Sequence, residues 1–179
     1  KIFTKLPYFT ATTGLKAYYK FDTSSGNMDN KASEVGSSVE IANSEMVNTG
    51  VTYSVTGLIN NALSYDGTND QSSASNSLAS DWKFLNVNGA AMTIITWMKA
   101  DAFSSTETLL CTTNFGGGLA GVLIELETNR SMRFHLGKHG TDKIDFTTGS
   151  AIFPNDTASF HMVMMRYNDA TGVLSVSVD

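Results

Sequence analysis

Along much of the chain apolar and polar residues alternate with a period of two, the pattern of a strand that buries one face. The first clear case is residues 15–21, where Leu15, Ala17, Tyr19 and Phe21 alternate with Lys16, Tyr18 and Lys20. This predicts a strand that ends at Asp22. Residues 23–38 carry Gly26, Asn27, Asp29 and Asn30 without periodicity and read as a loop. Short β segments are expected at 39–41 and 51–55. Residues 57–70, GLINNALSYDGTND, contain Asp66-Gly67, a dipeptide suited to a tight turn with positive φ, so a strand is placed on either side. Residues 72–88 are polar and irregular apart from 81–85, which suit one helical turn.

The run Ala91–Met98, AMTIITWM, is apolar on both faces. That suits a strand buried centrally between two layers and puts Trp97 in the core. Val122, Ile124 and Leu126 alternate with Glu125 and Glu127, and Met132, Phe134 and Leu136 with Arg133 and His135, as in half-buried strands. Residues 160–167 and Val173–Val178, joined by Asn168-Asp169-Ala170-Thr171-Gly172, form a hairpin signature. About ten strands without a crossover helix point to an all-β fold, an antiparallel sandwich. The expected organisation is a linker or N-terminal extension over 1–13 and one domain over 14–179.

Composition agrees: Ser, Thr and Asn number 20, 21 and 14 among 179 residues, and 41% of the chain is hydrophobic. A chain of this size can fold on apolar packing without disulfides or a metal. Lys and Arg total 12 against 17 acids, a net charge of −5, with no basic cluster, which argues against nucleic-acid partners. No apolar run approaches the roughly 18 residues that span a bilayer, so no membrane insertion is expected. Residues 1–13 lack the apolar stretch of a secretory signal. The lone Cys111, beside Leu109 and Leu110, reads as a buried thiol. The eight Met residues suit adaptable packing.

Four blocks then occur in order: residues 14–22 (GLKAYYKFD), 61–70 (NALSYDGTND), 92–101 (MTIITWMKAD) and 160–179 (FHMVMMRYNDATGVLSVSVD). Together they resemble the laminin-G-like, concanavalin A-like lectin/glucanase domains, over nearly all of 14–179. The resemblance implies a jelly roll with one concave and one convex sheet, carried outside the cell or on its surface within a larger protein. It also implies a closing strand beyond the position of Asp179, so either that strand is expected from elsewhere or residues 14–179 are expected to be a fragment that lacks it. Such domains often hold calcium at the sandwich rim, and the resemblance puts Asp22, Asp66, Asn69 and Asp70 at such positions as candidate metal ligands. The same residues are ordinary turn formers whose side chains bond local amides.

A sugar site needs an aromatic platform and a few polar anchors. Trp82, in a polar segment, is the candidate platform, with packing against a loop as its alternative. Asn114 and His139, in the loops at 114–118 and 137–140, are the candidate polar contacts. Relatives with glucanase activity carry Glu-x-Asp-x-x-Glu. Here Glu125-Leu126-Glu127-Thr128-Asn129-Arg130 has Glu for Asp and Arg130 for the last Glu, so the acid pair is broken and no enzyme is expected. Glu125 and Glu127 are instead placed on a solvated sheet face. Residues 116–121 match GxGxxG but lead into a strand pattern, which supplies no helix N-terminus for a phosphate. His135 and His139 lack a third metal ligand nearby. His161 reads as a packed, hydrogen-bonded ring. The function expected is non-catalytic recognition of a glycan or a protein surface through rim loops, with a structural or adhesive domain of a surface or fibre protein as the alternative.

Overall fold

The computed structural model describes residues 14–37, 41, 44–74, 82, 91–112, 121–138, 141–149 and 151–179. Most of the segments expected at 39–41 and 81–85 lies outside these residues. The fold is all-β and of the antiparallel sandwich class, with eleven strands and one 3-10 turn, Ser33–Val35, among the described residues. The chain divides into two compact units, residues 1–82 and 83–179.

In the first unit β1 (Val47–Thr49) pairs with β4 (Gln71–Ser73), and β2 (Thr52–Thr56) with β3 (Asn61–Ser64), all antiparallel. Met28, Val51 and Leu63 form its buried cluster, with Tyr19, Phe21, Met46 and Tyr53 packed against it. Met28 is held there by a two-way backbone bridge to Met46, at 2.9 and 2.8 Å. The Asp66-Gly67 turn does lie between two strands, but β3 and β4 pair with different neighbours. Asp70 sits against Gly50, where an added Cβ would lie 2.1 Å from Asp70 Oδ1, so the chain leaving the turn is seated beside β1.

The expected strand at 15–21 is absent, and its hydrogen bonds show why. Asn30 Oδ1 accepts the Tyr18 amide at 2.9 Å, and Asn30 Nδ2 donates to the Lys16 carbonyl at 3.0 Å. Lys31 donates to the Tyr18 carbonyl and Ile41 to that of Lys16, at 2.8 and 3.0 Å. The segment is thus satisfied by a side chain and scattered amides, without a ladder. Phe21, at φ 58°, ends any extended run.

The second unit holds two sheets, β5–β10–β11 and β6–β7–β8–β9, built from β5 (Ala91–Met98), β6 (Glu107–Cys111), β7 (Gly121–Leu126), β8 (Met132–Lys138), β9 (Thr141–Thr147), β10 (His161–Asn168) and β11 (Val173–Val178). β5 and the β10–β11 hairpin stand where the pattern put them. In the four-stranded sheet, Val122, Ile124 and Leu126 lie opposite Leu136, Phe134 and Met132, and all six are buried. The other face is also covered at Leu123 and His135, which lie opposite each other at 2% and 0% exposure. β7 and β8 are therefore central strands buried on both sides there, where alternation had suggested half-burial. Cys111 is exposed, not buried, because it ends β6 at the margin of this sheet. Phe153 is buried edge-on to Phe103 and His161, with centroids at 6.1 and 5.2 Å, and anchors the connection into β10.

Candidate functional site

Register fixes which side chains share each face of the β5–β10–β11 sheet, because residues directly opposite point the same way. Val163, Met165 and Tyr167 are buried, and opposite them stand Thr96, Ile94 and Met92 on β5 and Val178, Val176 and Leu174 on β11. The alternate set forms the outer face. Trp97 lies opposite Met162; Ile95 opposite Met164, which faces Ser177; Thr93 opposite Arg166, which faces Ser175. Trp97 is 45% and Ile95 43% exposed, so Trp97 is a surface platform and not the core residue expected from its two-sided apolar strand. The physical reason is that β5 is covered on one face alone, and parity assigns Trp97 to the other.

The outer face holds one ionisable strand residue, the exposed Arg166, and among the described residues it has no ion-pair partner. Other cations are engaged: Lys20 and Lys31 with Glu34, Lys99 with Asp101, and Arg133 with Asp145 and Glu125. Beyond Trp97, Lys99 Nζ stands 5.9 Å from the Phe160 ring centroid. His161 begins β10 between two carboxylates, with Nε2 3.6 Å from Asp156 Oδ2 and Nδ1 3.7 Å from Asp179 Oδ1. It is packed as expected, but its Nε2 is buried without a hydrogen bond. The Ser159 hydroxyl and the amides of Ala158 and Ser159 hold the Asp156 carboxyl below the usual carboxylate range.

The residues singled out from sequence are placed as follows. Trp82 is half-buried in the first unit, whereas Asn114 and His139 lie outside the described residues. Asp66 and Asn69 are exposed; Asp22 and Asp70 are half-buried. The Asp66 carboxylate accepts the Thr68 amide and the Asp70 carboxylate accepts the Asp66 amide, each at 2.8 Å. Both anions thus serve the turn's own backbone, the arrangement of an Asx-type turn. Among the described residues no group of three or more His, Cys, Asp or Glu side chains is placed to hold a metal ion.

Glu125 is held by Arg133, with Oε2 3.5 Å from Nη1. Arg133 in turn grips Asp145 through two hydrogen bonds, Nε to Oδ1 at 3.0 Å and Nη2 to Oδ2 at 2.9 Å. That fork holds the Asp145 carboxyl below the usual carboxylate range and raises the guanidinium. Glu127 accepts the Thr106 hydroxyl at 2.9 Å. Glu125 is therefore a partly buried member of an ion-pair network, where a solvated position was expected.

These elements define an all-β sandwich protein with an open sheet face that bears an aromatic platform. No family model matches the chain, and no curated protein does. Among solved structures it is similar to an S-layer domain-containing protein (residues 221–444) from Clostridium thermocellum ATCC 27405, with a TM-score of 0.51 and 17% sequence identity. The match covers 92% of this chain and 71% of that one, and at this identity the likeness is one of fold.

Proposed function

We propose that the chain is a non-catalytic recognition module of a cell-surface protein that binds carbohydrate. The observation that carries the reading is Trp97, an indole 45% exposed on a regular sheet face, where it offers a rigid apolar surface to the C–H face of a sugar ring. The laminin-G-like resemblance supports the ligand class, and the S-layer domain-containing neighbour supports placement at a cell surface. A structural or adhesive role is the second reading, favoured by Ile95 and Met164 beside the indole, which extend an apolar strip.

The test is binding of the purified chain to a broad glycan array, with calcium and with chelator. Saturable binding that falls in Trp97→Ala but not in Trp82→Ala supports this site. Binding lost with chelator and in Asp66→Asn would assign calcium to the candidate rim set Asp22, Asp66, Asn69 and Asp70. Absence of binding under both conditions rejects the carbohydrate reading in favour of the structural one.

A further inference from the structure

We infer that the outer face of the β5–β10–β11 sheet takes a carboxylated polysaccharide, which lies along the strands with a sugar ring on Trp97 and an acid group on Arg166. The inference rests on the carbohydrate reading above and adds the ligand's charge and its path.

Two observations select this occupant. Arg166 is an exposed cation without an ion-pair partner among the described residues, and the outward positions of β5, β10 and β11 carry no carboxylate; Asp179, which follows β11 opposite Met162, lies at the end of the Trp97 row, where its carboxylate accepts the Met162 amide at 2.7 Å. A guanidinium so placed offers its two-pronged N–H fork to a planar carboxylate, the geometry that Arg133 already displays with Asp145. Second, Thr93 marks the Arg166 row and Trp97 lies four residues further along β5, so platform and cation are separated by roughly 13 Å along the strand direction. Ile95 and Met164 fill the row between them, with Ser177 at its margin as a hydroxyl partner. Apolar contact, hydroxyl and cation in one line suit an extended chain of rings better than a compact ligand.

The footprint of the face suits a narrow, extended ligand. Three strands of at most eight residues give a face of about 26 by 14 Å, or roughly 370 Å², from strand rise and spacing. A chain of a few sugar rings laid along the strands fits that length and width.

The test uses polygalacturonate, its highly methyl-esterified form and a panel of neutral polysaccharides, in chelator so that calcium does not gel the acid. Wild type is expected to bind polygalacturonate and to lose affinity as salt rises. The ester should bind about ten- to a hundred-fold more weakly, the factor expected for one charge-assisted contact. Arg166→Gln should reproduce that loss on the acid and leave binding to the ester unchanged. Arg166→Lys should recover part of it, and Trp97→Ala should weaken both. Thermal unfolding of each variant separates lost binding from lost folding. Equal binding of acid and ester, or an inert Arg166→Gln, overturns the inference and leaves the carbohydrate reading standing, as does binding to neutral glycans alone. No binding to any polysaccharide removes both. A ligand-free dimer that dissociates in Trp97→Ala would assign the face to a second copy and also overturn the inference.

Discussion

Asn30 does the work of a missing strand neighbour. Its side chain accepts the amides of Tyr18 and Ala32, at 2.9 and 3.1 Å, and donates to the Lys16 carbonyl and the Ser44 hydroxyl, at 3.0 and 2.9 Å. Asn30→Ala removes all four in a partly buried setting and is expected to cost about 1–3 kcal/mol, measured by chemical denaturation. Asn30→Asp keeps the two acceptor contacts and should cost less; an equal or larger loss would show that the donor half dominates. Gly50 is constrained twice, by φ 79° and by the Asp70 carboxylate, which occupies the space a Cβ would take. Gly50→Ala should destabilise by about 1–3 kcal/mol from backbone strain alone, with Asp70→Ala relieving the clash but not the strain. Asp145 is a carboxylate whose folded value is depressed by Arg133. Its stabilisation is therefore fully present above the unfolded carboxylate value and is lost as pH falls through the depressed one. Asp145→Asn should lower the melting temperature at neutral pH and flatten its decline in acid; parallel wild-type and variant curves across that range would contradict the assignment.

At the scale of elements, what was legible followed from how much each segment depends on its own residues. The β10–β11 hairpin carries its strands and turn within eighteen residues, with Gly172 at φ 66° where the turn needs it, so local pattern sufficed. β5 was placed at its true bounds for the same reason, but its facing was not. Both parities of AMTIITWM are apolar, and the choice is made by pairing with β10, a non-local fact that no window of sequence contains. The same limit misplaced Glu125, whose half-burial comes from Arg133 on the next strand and Asp145 on the strand beyond. Residues 15–21 failed in the opposite sense, because the strand period was present but the Asn30 side chain and scattered amides took the place of a ladder. Arg166 carried no sequence signal, because its lack of an ion-pair partner among the described residues is set by which strands lie beside β10. Phe153, outside every strand, holds the connection into β10 through its edge contacts with Phe103 and His161. Phe153→Ala should cost about 3–5 kcal/mol, typical of deleting a buried aromatic ring, read by equilibrium unfolding; a loss under 1 kcal/mol would show that the connection is held otherwise.

For the molecule as a whole, the double covering of β7 and β8 sets a ranking of local opening. Amides of Val122 to Ile124, flanked by hydrogen-bonded strands and buried above and below, can meet solvent deuterium through little short of global unfolding. The strands of the first unit run three to five residues, and their buried apolar cluster is small, so their amides should exchange through cheaper fluctuations. Under native conditions exchange should therefore proceed in two waves, first β1 to β4 and last β7 and β8. A chain that exchanged in a single wave would be one cooperative body, and its two compact units would melt together.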